Sequence, residues 1–143
     1  MKIVIREMNP KDAETVNTLS KQLGYPLSVE QTLQNIKAVL HSADHIAFVA
    51  EYESRIVGWI GAAQAIMIEV MPHCEINGLV IDEHYRGTGI GKLLIDSVKQ
   101  WAKLKGNDKM GLHCNVKRVE AHLFYRHLGF KEAKQQKNFV IEI

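Results

Sequence analysis

The segment that decides the fold runs from Val80 to Lys92 and reads VIDEHYRGTGIGK. An apolar, strand-like run leads into a glycine-rich turn, and this turn opens a long amphipathic helix. The first N–H groups of a helix lack an intrahelical partner, and the helix dipole adds partial positive charge there. Gly87, Gly89 and Gly91 carry no Cβ, so the backbone can approach an anion closely and adopt positive φ. The turn is therefore a candidate phosphate-binding loop.

The spacing of the glycines excludes two common nucleotide motifs. A dinucleotide fingerprint, G-x-G-x-x-G, needs a third glycine where Lys92 stands. A P-loop needs a glycine at the position of Arg86 and a serine or threonine at the position of Leu93. The remaining pattern is R-x-x-G-x-G, formed by Arg86, Gly89 and Gly91. A turn that only connects the strand to the helix remains the alternative.

Composition and length predict an ordinary globular domain. A chain of 143 residues with 46% hydrophobic and 24% charged residues fits a single domain over residues 1–143. The net charge of +2 is too small to indicate nucleic acid or an anionic membrane as partner. The amino terminus is too short and polar for a signal peptide, and no apolar run approaches about 18 residues, so we expect a cytoplasmic protein. Cys74 and Cys114 belong to no C-x-x-C pair and are expected to be buried, reduced thiols.

The pattern along the chain predicts the order β-α-α-β-β-β-α-β-α-β, an α+β fold with helices packed on a mixed sheet. Asn9-Pro10 and a capping box at Ser28–Gln31 predict the first two helix starts. The third helix follows the glycine loop, and the fourth spans Val119 to Leu128. Strands are predicted at Ile3–Arg6, Ile46–Tyr52, Ile56–Ile68, Cys74–Ile81, Met110–Val116 and Phe139–Ile143. The pattern also allows a short strand at Phe130–Ala133.

A second diagnostic segment, Ala121 to Phe130, reads AHLFYRHLGF. Its A-x-x-F-Y-x-x-x-G-F pattern, placed after the R-x-x-G-x-G loop, resembles the GNAT family of N-acetyltransferases, and the motif order matches from Ala47 to Phe130. The resemblance implies a single-domain, mostly antiparallel mixed sheet, splayed at the site of the cofactor acetyl-CoA. It also implies transfer of an acetyl group to an amine. One position departs from the pattern: many members carry Asn where Arg118 stands.

The resemblance also implies a set of cofactor contacts. The loop would hold the pyrophosphate, and backbone N–H groups of the strand before it would contact the thioester oxygen. Asp82, which is unfavourable beside an anion, is interpreted as a turn or capping residue. The predicted cofactor-binding residues are Leu79, Val80, Ile81, Arg86, Gly87, Thr88, Gly89, Ile90, Gly91, Lys92, Asn115, Arg118 and Tyr125.

Two side chains are candidates for catalysis. The resemblance places Tyr125 as proton donor to the CoA sulfur, which is reasonable because a phenol with a pKa near 10 is protonated at pH 7. A purely structural core tyrosine is the alternative. Glu75 is the candidate base, because strand alternation puts it on one face with Asn77, Leu79 and Ile81. Neutralisation of the incoming ammonium is the alternative role for Glu75.

The acceptor site is expected from Tyr25, Glu69, His73 and Glu75, with His73 and Glu69 as competing bases and Trp59 close by or in the core. These residues suit an aminoglycoside, a polyamine, an amino acid or a lysine side chain equally. The histidines form no ligand pattern, so no metal is predicted. The final strand, Phe139 to Ile143, could pair between two copies, so a homodimer stays open. A protein or peptide acetyltransferase and a non-catalytic acyl-CoA sensor are the alternative functions.

Overall fold

The computed structural model describes all residues, Met1–Ile143, in two compact units, Met1–His113 and Cys114–Ile143. The first unit holds a five-stranded sheet and three helices, and the second holds one helix. The strands are β1 Ile3–Glu7, β2 His45–Tyr52, β3 Arg55–Ala65, β4 His73–Ile81 and β5 Met110–Leu112. The helices are α1 Ala13–Lys21, α2 Val29–Leu40, α3 Ile90–Leu104 and α4 Val119–His127.

The sheet runs in the order β1-β2-β3-β4-β5, antiparallel throughout except for the parallel pair β4–β5. The predicted α+β fold with a mixed, mostly antiparallel sheet is therefore confirmed. β5 pairs only with Cys74–Ile76 of β4. The rest of β4, from Asn77 to Ile81, has no neighbouring strand on that side, which is the splayed edge that the family resemblance implied.

A β-bulge at Asn77 changes which side chains share a face of β4. Gly61 pairs with Gly78 and Ala62 with Ile76, so Asn77 is an extra residue without a partner on β3. One extra residue inverts the alternation of the side chains along the strand. Glu75 therefore lies on the face of Gly78 and Val80, and the prediction that it shares a face with Leu79 and Ile81 is wrong.

Local sequence signals position the helices as predicted. The Ser28 hydroxyl accepts the Gln31 N–H at 3.1 Å, and Gln31 Oε1 accepts the Ser28 N–H at 2.9 Å, which completes the capping box of α2. Asn9 caps a short 3-10 turn, Pro10–Asp12, which leads directly into α1.

Helices cover both faces of the sheet. Leu94 of α3 lies against the side of the sheet that Gly58 faces, with Ile90, Leu94 and Val98 fully buried. α1 and α2 supply Val16 and Ile36 to a core cluster on the opposite face, where Trp59 packs. None of the helices combines the length and the apolar character needed to cross a bilayer.

The chain beyond Gly129 forms no strand, so the predicted strands Phe139–Ile143 and Phe130–Ala133 are wrong. The predicted strand Met110–Val116 also ends early, at Leu112. Alternating apolar residues become a strand only when a neighbour accepts and donates their backbone hydrogen bonds, and no strand pairs with residues 139–143. Their apolar side chains are exposed, Phe139 at 86%. Both cysteines are free; Cys74 is buried as predicted, but Cys114 is only half-buried.

Candidate functional site

The glycine-rich loop between β4 and α3 adopts a backbone that only glycine takes easily. Gly87 has φ of +77° and Gly89 of +87°, both in the left-handed region. Gly89 is the N-cap of the 15-residue helix α3 and offers no side chain to its amides. The first amides of α3 are therefore available to an external acceptor, and the dipole of the helix favours an anion there.

The residues around these glycines stabilise the loop. Asp82 Oδ1 accepts the His84 N–H at 3.1 Å and caps the 3-10 turn Glu83–Tyr85, which confirms its interpretation as a capping residue. The Thr88 hydroxyl donates to the carbonyl of Tyr85 and closes the turn. The carboxylate of Asp82 is therefore held in a local hydrogen bond. The basic residues Arg86 and Lys92 belong to the same loop.

The two basic residues of the motif have different surroundings. Lys92 Nζ lies 2.8 Å from Asp96 Oδ2, one turn further along α3. Arg86 is exposed and forms no ion pair. The guanidinium of Arg86 is thus the freer of the two cations for an anion at the loop.

The open edge of β4 lies immediately before this loop in the chain. After the pairing with β5 stops at Ile76, alternate residues of the segment Asn77–Ile81 present backbone N–H and C=O groups on the side away from β3. An extended ligand can pair with such an edge as an additional strand would. Leu79, Val80 and Ile81, predicted as cofactor contacts, all lie in this segment.

Glu75 is paired with His73 on the same strand. His73 Nε2 lies 3.0 Å from Glu75 Oε1, and His73 Nδ1 lies 3.0 Å from the carbonyl of Met71. The bond to Met71, and then the bond to Glu75, raise the pKa of His73, whereas Lys109 opposes this rise. The two candidate bases therefore form one hydrogen-bonded pair on the part of β4 next to β5.

A cleft of about 350 Å³ lies in the first unit, between α1, α2 and the strands β2, β3 and β4. Tyr25 lines the cleft, as do Trp59 and the segment Asn77–Val80. Glu69, His73 and Glu75 do not line it, and Glu69 lies in an exposed loop between β3 and β4. Of the predicted acceptor residues, only Tyr25 thus contributes to this cleft.

Two glycines that face each other shape the floor of the cleft. Gly61 and Gly78 are register partners on β3 and β4. A Cβ on Gly78 would lie 2.6 Å from the indole ring of Trp59, and one on Gly61 would lie 2.9 Å from Asn77 Oδ1. The indole and the amide occupy the space that the missing side chains leave. Sequence analysis missed Asn77, Gly61 and Gly78, although glycine inside a strand pattern is a signal of such close approach.

The remaining predicted residues lie in the second unit. Tyr125 is half-buried on α4, with its ring 5.3 Å from that of Phe124 and 5.8 Å from that of Phe130. Asn115 Oδ1 accepts the Lys117 N–H at 2.9 Å, so its side chain shapes the turn before α4. Arg118 is exposed at the N-cap position and makes no capping bond.

The sequence profile of the acetyltransferase (GNAT) family matches residues 13–130, most of the chain. The chain belongs to the GNAT family. It is an acyltransferase of the N-acetyltransferase class, and acetyl-CoA is the cofactor of this family. The matched range includes both motifs, the R-x-x-G-x-G loop and the segment Ala121 to Phe130.

Individual relatives agree with this assignment. An uncharacterized N-acetyltransferase of Bacillus subtilis (strain 168) is 28% identical over 86% of this GNAT chain and 87% of its own. The aminoglycoside N(6')-acetyltransferase type 1 of Stenotrophomonas maltophilia is 24% identical over 92% of this chain and 88% of its own. The chain spans less than half the length of three other relatives that it matches.

The solved structures show the same fold. The aminoglycoside N-acetyltransferase AAC(6')-Iy in complex with CoA superposes with a TM-score of 0.89, covering 99% of this chain and 96% of its own, at 21% identity. Identity at this level establishes the shared GNAT architecture and leaves the acceptor to be inferred from the residues of this chain.

Proposed function

We propose that this GNAT protein transfers the acetyl group of acetyl-CoA to a primary amine of a small molecule, by direct attack of the amine within a ternary complex. The observation that supports the proposal is that three structural features suited to acetyl-CoA follow one another along a short stretch of the chain. The open edge of β4, the left-handed glycines and the uncapped start of α3 follow one another between Asn77 and Lys92.

Each of these features fits one part of acetyl-CoA. The edge Asn77–Ile81 can pair with the amides of the pantetheine arm, and a backbone N–H in Leu79–Ile81 can stabilise the developing oxyanion. Gly87, Gly89 and the first amides of α3 fit the pyrophosphate, with Arg86 adding charge. Asn115 and Arg118 stay predicted contacts of the cofactor.

Proton transfer completes the proposed reaction. The acceptor must attack as a neutral amine, so Glu75, directly or through water, takes the proton that its ammonium loses. The amine nitrogen then bonds to the carbonyl carbon, the carbon–sulfur bond breaks, and Tyr125 donates its phenolic proton to the leaving thiolate. The second proton, which the nitrogen loses as it becomes an amide, returns through water to the Tyr125 phenolate. His73, hydrogen-bonded to Glu75, positions the carboxylate and is the competing base.

The cleft supports a small acceptor. A volume of about 350 Å³ lies at the lower end of the range of ligand pockets, and Tyr25 at its margin is 55% exposed. Aminoglycosides are the substrates named for two of the similar proteins, and the polyamine and amino acid classes have equal standing for this chain on sequence grounds.

The test is CoA release from acetyl-CoA with a panel of amines, combined with two variants. We expect Tyr125→Phe to lower kcat about 100-fold, the contribution typical of a general acid, with unchanged affinity for acetyl-CoA. Tyr52→Phe, which removes a phenol outside the proposed site, should leave kcat unchanged. Equal activity of Tyr125→Phe and the wild type would refute the donor role.

Glu75→Gln separates base catalysis from positioning. If Glu75 is the base, the loss of rate is largest at low pH and shrinks as the pH approaches the pKa of the amine, because the acceptor then needs no base. A loss that does not vary with pH would assign Glu75 to binding the ammonium.

A further inference from the structure

We propose that the acceptor binds in the cleft between α1, α2 and β2–β4, and that it is a monoamine with an uncharged, mainly apolar body. Polycationic amines such as aminoglycosides and polyamines are then poor substrates. This inference rests on the proposed function and names the substrate class of the same site.

The cleft is lined by residues without a permanent charge. None of the residues that line it is Asp, Glu, Lys or Arg, and the side chains of Val16, Ile36 and Ala47 make its inner wall apolar. A second or third ammonium group would lose its hydration there without a carboxylate to replace it, which is costly. Only one amine of the substrate can therefore be accommodated, at the reacting end.

The helices leave few polar groups free to bind a ligand. Asn17 Nδ2 donates to the Leu27 carbonyl at 2.7 Å and to Thr32 Oγ1 at 3.0 Å. The Ser20 hydroxyl donates to the carbonyl of Val16 at 2.7 Å. These groups are already satisfied within the protein. Asn35 of α2, which is exposed at the cleft and makes no side-chain hydrogen bond, remains available to a polar atom of a ligand.

Trp59 adds an apolar surface at the floor of the cleft. The missing side chains of Gly61 and Gly78 leave the space that its indole ring fills. Its Nε1–H is buried and has no acceptor in the chain, so solvent in the cleft does not reach this atom. The indole therefore presents carbon atoms, and no hydrogen-bond donor, to a ligand in the cleft.

The position of the cleft fixes the orientation of the substrate. Asn77–Val80 line the cleft and also belong to the open edge of β4, where we place the thioester. The amine of the acceptor therefore points to this edge, beside the exposed side chain of Asn77. Its apolar body extends towards α1 and α2, past Trp59.

The experiment compares amines that differ in charge. The probes are 4-acetylbenzylamine, 4-ethylbenzylamine, spermidine and kanamycin. We expect kcat/KM for the two benzylamines to exceed that for the polycations at least about tenfold, because the cleft has no carboxylate for a second ammonium group.

A binding measurement separates this inference from the proposed function. In Trp101→Phe, Trp59 is the remaining tryptophan, so titration of its fluorescence with the same four amines reports occupancy of the cleft without turnover. Saturable binding of the benzylamines and none of the polycations supports the inference. Turnover or cleft binding of spermidine or kanamycin at least equal to that of the benzylamines overturns it and leaves the proposed function standing. Benzylamine binding without acetyl-CoA binding would overturn the proposed function and support the cleft assignment.

Discussion

His73 Nε2 and Glu75 Oε1 lie 3.0 Å apart on β4, two residues from each other, and Glu75 lies between its register partners on β3 and β5. Both ring nitrogens of His73 face an acceptor, because Nδ1 lies 3.0 Å from the Met71 carbonyl. Two acceptors favour the doubly protonated imidazolium, which is why the bonds to Met71 and Glu75 raise the pKa of His73.

The raised pKa of His73 predicts the pH range in which this pair stabilises the protein. A histidine whose pKa is higher in the folded than in the unfolded protein stabilises the folded state. This stabilisation is fully present below the pKa of the unfolded state, about 6.5, and is lost as the pH rises through the pKa of the folded state. The difference in free energy of unfolding between wild type and His73→Asn should therefore be largest below about pH 6.5. Urea denaturation from pH 5 to pH 9 measures it, and a difference that grows with pH would contradict the assignment.

Gly89 and Gly106 provide a matched pair for the cofactor loop. Both have positive φ, +87° and +88°, at opposite ends of α3. A Cβ added at either glycine would have no other atom within 4 Å. Replacing either with alanine should cost about 1–2 kcal/mol of stability through the left-handed backbone. Only Gly89→Ala should also weaken acetyl-CoA binding, measured by calorimetry. Equal affinities of the two variants would remove Gly89 from the cofactor site.

Gly78→Ala tests whether the indole ring of Trp59 occupies the space above Gly78. Its new Cβ would lie 2.6 Å from the indole, so the ring must move, and overpacking of this kind costs about 1–3 kcal/mol. Gly111→Ala, on the neighbouring strand β5 and with no atom within 4 Å, is the control. We expect a changed Trp59 emission spectrum, in the Trp101→Phe background, for Gly78→Ala alone. An unchanged spectrum in both would mean that the indole is not confined.

The link between β1 and the first helical turn is an ion pair inside the fold. Arg6 donates to both carboxylate oxygens of Asp12 at 2.8 and 2.9 Å and to Glu51 at 2.7 Å. Burial alone would raise the pKa of Asp12, but the bonds from Arg6 and the Asn9 N–H lower it overall. The stabilisation of the folded protein by this ion pair is present above about pH 3.8, the pKa of an unfolded aspartate, and is lost as the pH falls through the lower pKa of Asp12 in the folded state.

Arg6→Ala leaves the Asp12 carboxylate, 5% exposed, without its cation. We expect a loss of roughly 3 kcal/mol at pH 7, which shrinks in acid. Asp96→Ala breaks the exposed pair with Lys92 and should cost under about 0.5 kcal/mol. Denaturation of both variants at pH 7 and pH 3 checks this, and equal losses would show that the buried position of Asp12 is unimportant.

The two cysteines should differ in reactivity. Burial, with a smaller effect of Glu75, raises the pKa of Cys74 to about 11, so its thiolate is scarce at neutral pH. Cys114 is half-buried on a different unit. Mass spectrometry after iodoacetamide treatment at pH 7.5 should find one modified thiol in the native protein and two in urea. Labelling of Cys74 in the native protein would contradict its burial.

The sequence by itself determined the features that depend on neighbouring residues. The capping box of Ser28 and Gln31, the start of α3 after Gly89 and the turn held by Asp82 all follow from short-range hydrogen bonds and allowed φ values. The R-x-x-G-x-G loop is local in the same sense, and together with the segment Ala121 to Phe130 it indicated the family through its resemblance. The order of strands and helices up to α4 was predicted correctly because hydrophobic periodicity follows the same local geometry.

The tertiary structure decided whatever depends on a partner distant in sequence. The bulge at Asn77 exists only in the pairing of β4 with β3, and it moved Glu75 to the other face. Phe139–Ile143 has the pattern of a strand, but no neighbouring strand satisfies its backbone. The cleft floor, where Trp59 lies over Gly78 and leaves its N–H unpaired, arises from residues on two strands. Side-chain alternation is a property of one strand, whereas register, burial and an unsatisfied hydrogen bond are properties of the packed sheet.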